Sequence, residues 1–494
     1  MNSCSERENI REAEACRMAR WDYIRVIFFA LLSICIGIAL YCHGVLGIST
    51  DDFMRICLAA QWADRPRLVQ FGNWPPLFSV VYGSVIRAIP FPLEVGHVLT
   101  AILSGVVVFL CATFSGIVFR SASIAILTAV LIIVNPLHLA LAASMLSEPL
   151  YTVLFMAFIL CTWKWSFDRQ DRWLLGGTLF AILMTMLRTD GTPIALTFGL
   201  WVIWSRRTWK SVIIFLCLSA FPLLWLSILW KEFASLPVLL KLYSEDVRQF
   251  YASVPYWNWI PIFSLLKFYS FGLISVGFVL VFWKHIERNA RTVVVIAMAC
   301  TASQLYLLWN RVSTVFPERT VYSLGVQFTI IEAFGIYTLW KQKPRIRLLL
   351  IFACVLQLGS NLYVGSQMKV SYSQEMVHVG RILSSSASLT SKIGNQHIAT
   401  DLEDGRYGVV SVLSGVPGRF TRFQFDPTSK QFSVKDPEPT PKYFLVASEE
   451  AAQQIHVAWR KSNEVKLHSL WFISDDSEVL SELRDIRSMI ETKD

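Results

Sequence analysis

The sequence predicts an all-α polytopic membrane bundle of about eleven transmembrane helices, followed by a small C-terminal α/β domain. Of the 494 residues 54% are hydrophobic, with 18 Trp and 33 Phe, more apolar surface than a soluble chain of this length needs for its core. Apolar runs near the roughly 20 residues that cross a bilayer recur between Ile24 and Val364. The strongly basic short turns at 206–210, 284–291 and 341–347 then fall on one side, as the positive-inside rule requires. The net charge of +9 is therefore read as topological, and nucleic acid is not a partner.

Residues 1–23 are polar and charged at first and are expected to stay in the cytoplasm, with the run from Ile24 to Val45 acting as an uncleaved anchor. The first outer loop, 46–92, contains the apolar stretch Pro75–Ile89, too short to span and placed as an interfacial or re-entrant helix. Spans follow over 93–119, 122–142 (with Asn135-Pro136 breaking its outer end) and, after Glu148-Pro149, 150–164. The segments 173–187 and 192–204 form a short hairpin split by Arg188-Thr189-Asp190-Gly191. Further spans are expected over 211–230, 267–283, 292–309, 321–340 and 348–364, with an outer loop from Lys231 to Phe263 rich in Tyr and Trp. The transmembrane domain is thus 24–364.

Residues 365–494 fall outside by parity. An amphipathic segment from Gln374 to Leu389 leads into alternating β-like runs (397–400, 443–447, 467–473) and helix-like runs (406–413, 449–460), the pattern of an α/β domain. All ten Cys lie at or before Cys354, so no disulfide framework supports this region. The absence of Asn-x-Ser/Thr sequons favours a bacterial source, hence the inner membrane.

Unusual polar residues gather at the outer ends of spans: Asp51, Asp52, Trp74-Pro75-Pro76, Glu148, Arg188, Asp190, Glu318 and Arg319. Ionisable groups near hydrocarbon are costly, which makes each a functional candidate. Each also has a plainer reading. Adjacent aspartates cap a helix start and favour its macrodipole. Arg188 can snorkel, pair with Asp190 or contact a phosphate. Glu148 can be a bare helix start before Pro149, and Glu318-Arg319 a salt bridge. A prenyl-diphosphate metal motif would want a carboxylate where Arg55 stands, and a divalent-metal site would want more oxygen ligands nearby, so no metal is assigned.

The order of these motifs resembles the GT-C class of glycosyltransferases, specifically the protein O-mannosyltransferase and lipid A aminoarabinose transferase group. The resemblance rests on the Asp51-Asp52 pair after the first span, Trp74-Pro75-Pro76-Leu77, Ser147-Glu148-Pro149-Leu150, Leu187-Arg188-Thr189-Asp190-Gly191 and Glu318-Arg319. It covers residues 20–365 and extends loosely to the tail.

The resemblance implies inverting transfer of a single hexose or pentose from a polyprenyl-phosphate carrier to an acceptor hydroxyl at the outer face. The acceptor would be a periplasmic glycan, lipid or protein, and the lipid-linked sugar is a substrate, so no cofactor is implied. Asp51 would be the base and Asp52 its supporting acid. Arg188 and Arg319 would face the departing phosphate, with Trp74, Glu148, Asp190 and Glu318 around the donor. Trp74 is a departure, since relatives often place Lys or His before the Pro pair; Trp cannot neutralise phosphate but can stack on a sugar. A different GT-C enzyme, such as an arabinosyl- or oligosaccharyltransferase, is an intermediate reading. The reading from another class is a transporter or lipid flippase without transferase activity, whose polar residues would line a path near mid-membrane.

Overall fold

The computed structural model describes residues 23–68, 74–232, 317–342, 347–366, 374–385, 398–402, 404–415, 420–426, 431–434, 443–447, 463–467 and 469–491, with isolated positions between them. The chain is an integral membrane protein built mainly of helices. Helix α1 is Tyr23–Cys42. Then follow α2 (Thr50–Asp64), α3 (Leu77–Ala88), α4 (Pro92–Phe119), α5 (Ala122–Ile133), α6 (Pro136–Ala142), α7 (Glu148–Asp168), α8 (Asp171–Leu187), α9 (Gly191–Arg206) and α10 (Trp209–Glu232). Beyond them come α11 (Pro317–Gln342) and α12 (Arg347–Ser366).

Among the described residues, α1, α4 and the Trp209–Ile228 part of α10 are each long and apolar enough to cross a bilayer alone, and α5 with α6 make a fourth if the pair is one broken span. Among the described residues, helices of full length and hydropathy thus account for three or four of the expected eleven or so spans. The expected spans at 267–283 and 292–309 and the Tyr/Trp-rich loop from residue 233 onward lie outside the described residues apart from isolated positions. The hairpin is present, but α8 and α9 have only 17 and 16 residues. At 1.5 Å per residue each is about 25 Å long, short of a bilayer core of about 30 Å. Stretch 75–89 is a helix of 12 residues, too short to span, as expected.

The break between α5 and α6 follows from sequence. Pro136 lacks an N–H and disfavours helix at the residue before it. Asn135 caps the new helix instead, its Oδ1 accepting from Leu137 N at 3.0 Å and His138 N at 3.3 Å, and the axis turns by 69°. Buried polar side chains tie the bundle together around this break. Ser33 Oγ lies 3.2 Å from Ser104 Oγ and 2.9 Å from His138 Nε2, while His138 Nδ1 lies 2.6 Å from Tyr322 Oη. Four helices, α1, α4, α6 and α11, thus share one chain of hydrogen bonds, the kind of glue used where apolar packing cannot discriminate protein from lipid. The outward surface is apolar, with Ile24, Phe28 and Leu31 on α1, Leu216 and Leu223 on α10, and Leu348, Phe352 and Val355 on α12 exposed. That surface suits lipid.

The C-terminal region holds a six-stranded mixed sheet in the order β3-β2-β1-β4-β6-β5. The strands are β1 (Ile398–Thr400), β2 (Phe420–Asp426), β3 (Gln431–Val434), β4 (Tyr443–Val446), β5 (Asn463–Leu467) and β6 (Leu470–Ser474). Central β1 runs parallel to β2 and β4, and the remaining pairs are antiparallel. Helices α13 (Gln374–Ser384), α14 (Asp404–Leu413) and α15 (Ser477–Glu491) accompany the sheet. The run 467–473 is not one strand as its composition suggests. Leu467 pairs with Leu470, so the run contains the tight turn of the β5–β6 hairpin. Of the expected helix at 449–460 only isolated helical positions are described.

Candidate functional site

The site is organised at the start of α2. Ser49 takes the extended N-cap conformation (φ −148°, ψ 164°), which puts Asp51 and Asp52 in the first turn. There the positive end of the macrodipole favours both carboxylates. Their environments differ. Asp52 is fully buried. Its Oδ2 accepts from Ser49 N at 2.8 Å, Ile48 N at 3.0 Å and Ser49 Oγ at 3.2 Å, and its Oδ1 accepts from Met145 N. Gly47 makes this wrap possible: its φ is +140°, and a Cβ there would lie 3.1 Å from the Asp52 side chain. The capping reading therefore holds for Asp52, which locks the loop before α2 to the loop before α7. Asp51 is partly exposed.

The second group of sequence candidates forms one ion cluster. Arg188, just past the end of α8, places Nη1 2.9 Å from Glu148 Oε1 and Nε 3.1 Å from Asp190 Oδ1, with its Cζ 5.7 Å from the Tyr151 ring centroid. All three charged side chains are nearly buried. Burial works against the guanidinium charge, but the Asp190 and Glu148 carboxylates more than reverse it and hold its pKa above the ordinary value. One cation between two carboxylates leaves a formal charge of −1. Glu148 begins α7 directly after the segment that donates Met145 N to Asp52, so the aspartate pair and the ion cluster share one loop, 143–147.

Trp74 has a different partner. The Arg55 guanidinium lies 4.2 Å from the Trp74 ring centroid and 5.4 Å from that of Phe78. Arg55, Leu58, Trp74, Pro75 and Phe78 line a small cleft of about 10 Å³. Arg55 follows Asp51 by four residues and so lies one turn along the same face of α2. The i, i+4 spacing of Asp51 and Arg55 is legible in the sequence, where Arg55 stands at the position a metal motif would fill with a carboxylate. The Met145 contact carried no sequence signal. Glu318 and Arg319 lie in the first turn of α11, and their side chains are outside the described residues. Among the described residues no group of three or more His, Cys, Asp or Glu is placed to hold a metal ion.

No family model matches the sequence, and no curated protein matches it. Solved structures do. ArnT from Cupriavidus metallidurans in the apo state aligns with a TM-score of 0.55 at 9% identity, covering 92% of this chain and 98% of that one. The Archaeoglobus fulgidus oligosaccharyltransferase, solved with Zn and sulfate, aligns with a TM-score of 0.50 at 12% identity over 80% of this chain. This chain spans 62% of the length of the oligosaccharyltransferase. Both are GT-C glycosyltransferases, and the chain shares their fold.

Proposed function

We propose that this protein is a membrane glycosyltransferase that moves a single sugar, hexose or pentose, with inversion, from a polyprenyl-phosphate carrier to an acceptor hydroxyl at the outer face of the bacterial inner membrane. The observation that carries the reading is the unequal pair at the start of α2. Asp52 is fully buried, with both carboxylate oxygens accepting from Ile48, Ser49 and Met145, and Asp51 is partly exposed one turn before Arg55, which lines the cleft with Trp74. Asp51 is then the group that takes the acceptor hydroxyl's proton as that oxygen attacks the anomeric carbon. Asp52 fixes where Asp51 stands.

The leaving polyprenyl phosphate needs a cation. Arg188 is engaged by Glu148 and Asp190 and with them holds the loop 143–147, while Arg55, one turn from Asp51 and lining the cleft beside Trp74, is a candidate for phosphate contact. Arg319 with Glu318 remains a second candidate from α11. Trp74, held by Arg55, offers a ring face to the donor sugar. The acceptor is a periplasmic glycan, lipid or protein, with the N-terminus in the cytoplasm and the C-terminal sheet region outside. The fold shared with ArnT supports the reaction class.

The deciding experiment is to delete the protein and analyse the lipid-linked sugars of the membrane. A polyprenyl-phosphate sugar should accumulate, and complementation with the wild type, but not with Asp51→Asn, should clear it. An unchanged lipid-linked pool, or clearance by Asp51→Asn, rejects the assignment.

A further inference from the structure

The C-terminal region is joined to α2 more intimately than a tethered domain would be. Gly408 of α14 lies against the backbone of α2: a Cβ at 408 would sit 2.7 Å from Met54 N and 2.9 Å from Met54 Cα. On either side of this contact the two helices exchange polar contacts. Gln61 Nε2 donates to Tyr407 Oη at 2.6 Å, and Tyr407 Oη donates to Phe420 O of β2 at 3.1 Å. Ser411 Oγ donates to Cys57 Sγ at 3.1 Å. Tyr407, Ser411 and Cys57 are all buried. Behind α14, Gly380 lets α13 approach equally closely, since a Cβ there would lie 2.6 Å from Leu413 Cβ. The stack therefore runs from α2 through α14 into the sheet.

Helical geometry gives this contact a consequence. At 100° per residue, Met54, Cys57 and Gln61 occupy one face of α2, while Asp51, Arg55 and Leu58 occupy a face roughly 100° around the axis. A rigid helix clamped on the first face has the azimuth of the second face fixed. We propose that α14 is the positioning element of α2, with Gly408 and Tyr407 as positioning residues that aim Asp51 and Arg55 at the cleft, and that the C-terminal region and the carrier site are thereby coupled. The proposal rests on the functional reading above for the identity of the carrier, but not for the mechanical contact itself.

The test is hydrogen exchange on the full-length protein in detergent micelles. Without ligand, Gly408→Val should raise exchange in peptides covering 50–64 by about tenfold or more, and Tyr407→Phe, which removes one buried hydrogen-bonding hydroxyl, by several-fold, on the order of what one such bond contributes. Exchange over 92–119 should stay at the wild-type rate. Wild-type rates over 50–64 in both variants overturn the proposal, and if Gly408→Val exchanges fast everywhere, Tyr407→Phe decides. Adding undecaprenyl phosphate to the wild type supplies a readout that packing alone would not move. Protection of 404–413 together with 50–64 is the expected result. Protection of 50–64 alone overturns the coupling. Protection of neither rejects the carrier reading of the preceding subsection, and the ligand-free comparison then decides the positioning role by itself.

Discussion

The carboxylate of Asp52 accepts the main-chain N–H of Met145, bridging the entrances of two helices that lie 93 positions apart in sequence. This one contact ties the aspartate pair to the loop that starts α7 and so to the Glu148–Arg188–Asp190 cluster. It also separates two substitutions that look alike. Asp52→Ala strips several buried N–H groups of their acceptor, at roughly 1–3 kcal/mol for each one left unpaired. Thermal unfolding in detergent should show a large loss for Asp52→Ala and a small one for Asp51→Ala.

Activity should follow the opposite pattern at position 51. Asp51→Asn keeps shape and removes the base, and transfer should fall by about 10²–10⁴-fold, the usual contribution of a positioned acid or base. Binding of undecaprenyl phosphate should survive. An Asp51→Asn protein that has lost carrier binding along with turnover would instead point to a donor-holding role for the residue.

Arg188 is the counter-ion of two buried carboxylates, so removing it alone should be severe. Arg188→Leu is expected to cost about 3–5 kcal/mol, because it strands buried negative charge. Neutralising the partners as well, in the Glu148→Gln, Arg188→Leu, Asp190→Asn triple variant, should restore much of that loss. Urea or thermal titration of the single and triple variants checks this. If Arg188 also touched the carrier, the triple variant would be stable yet unable to bind undecaprenyl phosphate.

Arg55 is expected to matter for ligand binding. Arg55→Gln should weaken undecaprenyl phosphate binding by roughly tenfold, the scale of one charge-assisted hydrogen bond. Trp74→Leu removes the ring over the guanidinium, whose cation–π contact is worth about 0.5–2 kcal/mol. It should affect the sugar-charged carrier more than the bare one. Isothermal titration with both lipids distinguishes the two effects.

Cys57 gives a signature in alkali. Burial pushes its thiol from 9.0 up to about 11. The folded pKa is raised, so the protonated thiol's contribution is fully present below pH 9 and is lost as pH rises toward 11, while the unfolded chain ionises first. Two units correspond to about 3 kcal/mol. Wild-type melting temperature should therefore fall more steeply between pH 9 and 11 than that of Cys57→Ala. Parallel pH curves for the two proteins would count against a neutral, sealed thiol at the α2–α14 contact.

Much of the bundle is readable from local sequence because spans are set by local hydropathy and by proline. The break at Asn135-Pro136 and the hairpin around Arg188-Asp190 both stand where the residues place them. Span count is less readable, since α8 and α9 are apolar but short, and composition does not say whether such helices cross, lie flat or pair. The β5–β6 hairpin is hidden in the sequence because Leu467 and Leu470 flank a turn too tight to interrupt an apolar run.

The sequence by itself determined that two adjacent carboxylates follow the first span with Arg55 four residues on, and offered a helix start as one reading of the pair. Only the tertiary structure shows what holds Asp52 and Arg188 in place. Met145 N reaches Asp52 from another helix entrance, Glu148 and Asp190 claim Arg188, and Gly408 lets α14 press against α2. Each is a contact between residues distant in sequence, and no period or local propensity encodes which distant partner will satisfy a buried charge or fill a bare backbone face.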